Sequence, residues 1–203
     1  MTDFNAHWSK VYTDKAPDEV GWFQAAPTLS LQLIGQAKLK PGAVVVDLGS
    51  GVSPLVGALV AKDYMVTAVD ISAPALDKAK VALGDKASQV EWVAADVTQW
   101  RPNQVFDLWH DRAVFHFMAT PEQRAGYLAA LRAGLKPGGF AVMATFAPDG
   151  PEKCSGLPVQ RYDSVGLLAA LGPEFTLLAE AREEHKTPWD SVQKFNYFLF
   201  RRG

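Results

Sequence analysis

The sequence predicts an α/β fold: a doubly wound, mainly parallel sheet, covered by helices on both faces and capped by an aromatic N-terminal segment. Three observations lead there. Short β-branched runs alternate with helix-like stretches along most of the chain. The first such run, AVVVDL at 43–48, is apolar on both faces, as strands buried between two helix layers are. The connections are short and carry glycine, proline or capping residues.

After the first strand, Pro54 to Lys62 reads as a helix and MVTAVDI at 65–71 as a second strand. Ser72, Ala73 and Pro74 supply an N-cap and an early-helix proline, opening a helix to about Leu83. VEWVAAD at 90–96 and VFDLWHD at 105–111 are the third and fourth strands. Thr120-Pro121-Glu122-Gln123 is a capping-box-like start for a helix ending near Leu135. LKPGG then stops that helix, and FAVMATF at 140–146 is the fifth strand. Beyond an irregular stretch, YDSVGLLAALG is a helix with Gly172 as its end. EFTLLAEAREE and KFNYFLFRR close the chain as two strands. Their linker holds no crossover helix, so one of them runs antiparallel to the rest. The first forty residues are rich in aromatics and precede the first strand, which makes them a cap over the ligand edge of the sheet. The organisation expected is one domain over 1–203, with the cap at 1–40 and the core at 41–203.

Composition narrows the function. With 203 residues, 48% of them hydrophobic, the chain suits one well-buried α/β domain. A formal charge of −2 with scattered Lys and Arg gives neither the basic footprint of a nucleic-acid binder nor a membrane-surface patch. The single cysteine, Cys154, has no partner for a disulfide or for a CxxC metal motif, so a metal site is not expected. No apolar run approaches the roughly 18 residues of a membrane span, and MTDFNAHWSK lacks the layout of a secretory signal. A cytoplasmic location is the expectation.

The chemistry concentrates in VVVDLGSGVSPL, residues 44–55. Ligands of open α/β sheets sit beyond the carboxyl ends of the strands, and the turn after the first strand is the usual contact. Gly49 and Gly51 let that backbone turn sharply and approach a ligand where a Cβ would clash. A dinucleotide fingerprint would carry a third glycine where Pro54 stands. Asp47 would repel a phosphate and suit a cationic group. Together these weaken a pyrophosphate reading and favour a ligand bearing an ammonium. Asp70 ends the second strand, placed to accept hydrogen bonds from ribose hydroxyls. Asp96 ends the third, placed to accept from an exocyclic amine of a base. Each acid alone reads equally well as a strand-end or capping residue; three on successive strands beside a Gly-x-Gly turn point to a nucleoside.

In this order VVVDLGSGVSP, VTAVDIS and WVAAD resemble the nucleoside-binding motifs of class I S-adenosylmethionine-dependent methyltransferases. FDLWHDRAVFHF and LKPGGFAVMATF extend the similarity over residues 40–150. The resemblance implies a seven-stranded sheet with its last strand antiparallel, and S-adenosylmethionine as cofactor with S-adenosylhomocysteine as product. It implies that Gly49 and Gly51 pass beside the methionine portion with Asp47, that Asp70 and Ile71 meet the ribose side, and that Asp96 and Val97 face the adenine. It also implies that Asp111 and Arg112 line the cofactor and acceptor pocket. Val52-Ser53-Pro54 departs from the usual form of the first motif.

The acceptor side is less determined. His116 follows the fourth strand and reads either as a general base, alongside Asp111, or as a histidine packed between Phe115 and Phe117. His110 and His185 read as structural. Trp8, Tyr12, Trp22 and Phe23, with Gln24, form a lid that encloses a sulfonium by cation–π attraction or simply covers the core. Arg161 binds an acceptor carboxylate or pairs on the surface. Cys154 has no identifiable histidine partner for a nucleophile. The expected reaction is methyl transfer to a small molecule. A protein lysine is the alternative acceptor, because the aromatic lead-in also resembles some protein-lysine methyltransferases. A dinucleotide-dependent oxidoreductase and a non-catalytic nucleoside-binding protein are the competing classes.

Overall fold

A computed structural model describes residues 3–203. Strands β1 (Val44–Leu48), β2 (Met65–Asp70), β3 (Val90–Ala94), β4 (Phe106–Arg112), β5 (Leu135–Phe146), β8 (Phe175–Lys186) and β9 (Val192–Arg202) form a seven-stranded sheet in the order β3-β2-β1-β4-β5-β9-β8. Strands β1 to β5 pair in parallel. β9 is antiparallel to both its neighbours, β5 and β8, as expected of the last strand. The chain runs outward from β1 to β3, then returns to the other side of β1 through β4. That reversal opens a crevice beyond the carboxyl ends of β1 and β4.

Local signals place the helices packed around this sheet. Helix α3 spans Leu55–Val60, and α4 (Ala73–Leu83) is capped by Ser72 Oγ, which accepts from the Ala75 amide at 3.3 Å. Helix α5 (Pro121–Gly134) begins with a complete capping box. Thr120 Oγ1 accepts from the Gln123 amide at 3.2 Å, and Gln123 Oε1 accepts from the Thr120 amide at 3.0 Å. Helix α6 (Ser164–Leu171) starts at Asp163 and stops at Gly172, whose φ is +106°. β1 is buried along nearly its whole length, and Trp109, Tyr127, Phe106, Phe115, Phe146 and Phe195 are fully buried around the sheet.

The structure departs from the sequence reading in three places. The N-terminal segment is helical, with α1 (Phe4–Asp14) capped by Asp3 and α2 (Thr28–Gln36) following. β5 begins at Leu135 rather than Phe140: LKPGG ends α5 but is already extended beside Phe106, with a register shift before Leu108. The stretch after β5 holds a hairpin, β6 (Lys153–Cys154) and β7 (Leu157–Pro158). Ser155 and Gly156, with φ of +49° and +78°, make its two-residue turn.

Candidate functional site

The turn after β1 is built for close approach. Gly49 and Gly51 have φ of +58° and +50°, a region that favours glycine. A Cβ on Gly49 would stand 2.3 Å from Val114 Cγ2, and one on Gly51 would stand 2.6 Å from the Tyr12 hydroxyl. Asp70 ties this turn to β2: its Oδ2 accepts from the Gly51 amide at 2.9 Å and its Oδ1 from the Ser72 amide at 2.8 Å. Burial raises the Asp70 carboxyl to about 6 despite those two backbone donors. Asp96 follows β3, and its Oδ1 accepts from both the amide and the hydroxyl of Thr98, each at 2.8 Å.

These strand ends floor a cavity of about 900 Å³, counting its open mouth. Gly49, Asp70, Ile71, Asp96 and Val97 line it from the sheet side, while Phe4, Trp8, Tyr12 and Trp22 line it from the N-terminal side. Arg112, Phe117, Met118 and Cys154 complete the wall. Trp8 is the hub of the aromatic side, edge-to-face with Trp22 and with Phe117 at 5.3 Å in each case. The Asn5 amide bonds to the Ile71 carbonyl at 2.8 Å, and His7 Nε2 lies 3.1 Å from Ser155 Oγ, so both the β2 end and the hairpin hold α1 in place.

A second cavity of about 560 Å³ lies across the same turn, sharing Tyr12, Trp22, Gly49 and Arg112 with the first. Phe23, Gln24, Asp47, Ser50 and Gly51 line it. One side of it is a buried polar chain: His110 Nδ1 is 2.6 Å from Asp47 Oδ1, and His110 Nε2 is 2.8 Å from Ser30 Oγ. Among the described residues, Asp47 Oδ2 and Ser50 Oγ are buried without a hydrogen-bond partner. Such groups are costly unless something satisfies them.

The structure thus brings Asp47, Gly49, Gly51, Asp70, Ile71, Asp96, Val97, Arg112, Trp8, Tyr12, Trp22 and Phe23 to two joined cavities. It places Asp111, His116 and Arg161 elsewhere. Asp111 is fully buried behind the wall and accepts from the amides of Val114 and Phe115 at 2.8 and 3.0 Å and from the Tyr127 hydroxyl. It holds the loop in which Ala113 takes φ +72°. His116 is fully buried against Phe117 and Phe146, and desolvation with the nearby Arg112 charge lowers it to about 3. It stays neutral at working pH and lines neither cavity. Arg161 pairs with Glu152 at 3.4 Å and with the Gly150 carbonyl, beside a separate depression.

Sequence reasoning missed the frame of Arg112 and the partners of Asp47. Arg112 Nε donates to the Tyr197 hydroxyl at 2.7 Å, and its guanidinium lies 4.5 Å over the Phe195 ring. Strand register offers a signal once pairing is known, because Arg112 opposes Ala144 and Ala144 opposes Tyr197. Ser30 sits in a helix that the sequence reading left unassigned, and no local pattern marks it. Among the described residues, no cluster of three or more His, Cys, Asp or Glu side chains is arranged for a metal, and no helix is long and apolar enough to cross a membrane.

Comparison with known proteins gives this geometry its context. Residues 45–139 match the family model of a methyltransferase domain. That match covers just under half of the chain, and the curated relatives that share this region are methyltransferases. Thiocyanate methyltransferase 1 of Brassica oleracea is 33% identical over 135 residues, which is 65% of this chain and 58% of that protein. Trans-aconitate 2-methyltransferase of Azoarcus sp. (strain BH72) is 36% identical over 109 residues, or 53% of this chain and 40% of that one. The chain therefore spans well under two thirds of the length of these relatives. The crystal structure of Burkholderia thailandensis 1,6-didemethyltoxoflavin-N1-methyltransferase, with bound 1,6-didemethyltoxoflavin and S-adenosylhomocysteine, superposes with a TM-score of 0.71 at 22% identity. That likeness covers 98% of this chain and 83% of the other, and it shows the shared fold.

Proposed function

We propose that this protein transfers a methyl group from S-adenosylmethionine to a small-molecule acceptor, acting as one domain whose first forty residues form the lid. The observation that carries the reading is the charge pattern across the glycine turn. On one side the unpartnered Asp47 Oδ2 awaits a cation, which suits the ammonium of a methionine moiety. On the other side Asp70 and Asp96 offer acceptors to a nucleoside. A carboxylate has about four lone-pair positions, so Asp70 keeps capacity for ribose hydroxyls beyond its two backbone donors. Ile71 and Val97 flank the place of the base, and Asp96 accepts from its exocyclic amine. Gly49 and Gly51 take the left-handed turn that lets Val114 and Tyr12 close against this backbone.

The cofactor, when bound, supplies an electrophilic sulfonium methyl; the chain has to align the acceptor and exclude water. The aromatic wall of Trp8, Trp22 and Phe117 serves both ends and stabilises a sulfonium by its ring faces. The names of the two curated relatives, whose acceptors are thiocyanate and trans-aconitate, support a small acceptor.

The test is a turnover screen with S-adenosylmethionine against metabolite pools and protein extract, detecting S-adenosylhomocysteine together with the methylated product. A methylated metabolite is the expected result. Methylated lysine in protein alone would move the acceptor to the other class, and no S-adenosylhomocysteine with either pool would oppose catalysis.

A further inference from the structure

We infer that the larger cavity takes an acceptor that is already an anion, seated against the Arg112 guanidinium; this rests on the methyltransferase reading above. Arg112 is held in place beside Glu183 in an ion pair that makes no direct hydrogen bond and leaves donors unused. Nε donates to Tyr197 and Nη1 donates to the Trp22 carbonyl at 3.1 Å. Glu183 lies 3.6 Å from Nη2, too far for a hydrogen bond, and its oxygens accept instead from Gln24 at 2.9 Å and Tyr197 at 2.8 Å. Nη2 is buried with no hydrogen-bond partner among the described residues. A planar fork with donors to spare, oriented by neighbours, suits a carboxylate or a small anion. Its charge also reaches into the cavity wall, where it acts on Cys154.

The same cavity offers no group free to take a proton from an acceptor. Burial holds the Tyr12 hydroxyl far above its ordinary range and pushes the Cys154 thiol up to about 12. Asp70 and Asp96, already tied to backbone and Thr98 donors, are assigned to the nucleoside in the reading above. An amine or alcohol has a proton to lose during methylation; an anion has none. The anion's lone pair forms a bond to the methyl carbon while the sulfur–methyl bond breaks and its pair returns to sulfur. Two opposite charges become two neutral products and no proton is released. Apolar walls favour that outcome because the charges they fail to solvate disappear in the reaction.

Calorimetry on the wild-type protein saturated with S-adenosylhomocysteine tests the charge class, with benzoate and thiocyanate as anionic probes and benzylamine as a cation of benzoate's size. Saturable binding of the anions and none of the amine is expected. Turnover of thiocyanate with S-adenosylmethionine in weak buffer should yield S-adenosylhomocysteine without acidification. In protein kept saturated with S-adenosylhomocysteine, Arg112→Gln should lower anion affinity by about tenfold or more, the loss of a charge-assisted pair. Binding of benzylamine but not the anions, or anion binding unchanged in a folded Arg112→Gln protein, would overturn the inference. If that variant does not fold, the wild-type comparison still decides the charge class and Arg112→Lys locates it. Failure of S-adenosylhomocysteine itself to bind would instead sink the methyltransferase reading.

Discussion

The two sides of the main cavity are made in different ways. On the sheet side, Gly49, Asp70 and Asp96 stand at the ends of parallel strands, and each carboxylate is fixed by backbone or near-neighbour donors. On the other side, Phe4, Trp8 and Tyr12 hang from a single helix, held by hydrogen bonds at Asn5, His7 and Tyr12 and by ring contacts to Trp22 and Phe117. The difference teaches that the sheet half is a property of the fold, whereas the aromatic half is a property of packing. The first half should fail sharply when a backbone position is altered. The second should fail gradually.

The largest effect is expected at Gly49. In Gly49→Val the left-handed φ and the contact with Val114 combine with a stiff branched side chain. Binding of S-adenosylhomocysteine should be lost, with a stability cost of about 1–3 kcal/mol, well inside a domain's usual total of roughly 5–15 kcal/mol. Circular dichroism and a binding titration on one sample separate these outcomes, and normal binding by a folded variant would show that the ligand does not touch the turn.

Next comes Asp70. Asp70→Ala should weaken S-adenosylhomocysteine by about 1.5–3 kcal/mol, the worth of hydrogen bonds to a charged group, as read by calorimetry. The carboxyl also predicts two opposite pH trends. Protonation as pH falls through about 6 removes acceptor capacity, so affinity should drop there in wild type and stay flat in Asp70→Asn. The folded pKa lies above the unfolded one, so the native state holds a proton that the unfolded chain releases between about 4 and 6. Wild-type stability should therefore fall relative to Asp70→Asn as pH rises through that window, a difference that urea titrations at two pH values will reveal. Equal slopes for the two proteins would place the raised pKa elsewhere.

His116 probes the boundary between the two halves. Because it is neutral, buried and outside both cavities, His116→Asn should leave S-adenosylhomocysteine affinity within experimental error while lowering the unfolding midpoint. A loss of affinity with unchanged stability would bring this ring back into the site.

The smallest effect belongs to the lid. Asn5→Ala removes one bond to the Ile71 carbonyl, worth about 0.5–1.5 kcal/mol. Amide exchange in α1 should accelerate by up to roughly tenfold while exchange in β1 and β4 is unchanged. Uniform acceleration across the sheet would mean that the helix is integral to the core.

How much of this was legible in the sequence follows the same division. Strand ends carry their chemistry in local strings: Asp47 to Gly51, Asp70 to Ser72 and Asp96 lie at or beside short apolar runs, turn glycines and caps. The mainly parallel sheet followed from alternation, and one antiparallel closing strand from the missing crossover helix. The other half depends on contacts that no local pattern encodes. His116 looked available because a histidine after a strand end often faces a ligand, yet the loop that Asp111 fixes turns its ring into the Phe117–Phe146 packing. Ser30, 80 residues from His110, and Glu183, which bonds Gln24 across 159 residues, required the folded structure.

The central claim is that the cleft across the Gly49–Gly51 turn holds an S-adenosyl nucleoside. The most direct measurement is calorimetric titration of S-adenosylhomocysteine into the wild-type protein at neutral pH, with NADH titrated in parallel. Saturable one-to-one binding of S-adenosylhomocysteine, with no heat from NADH, is the result the structure predicts. Tight binding of NADH, or no binding of S-adenosylhomocysteine to the folded protein, would contradict it.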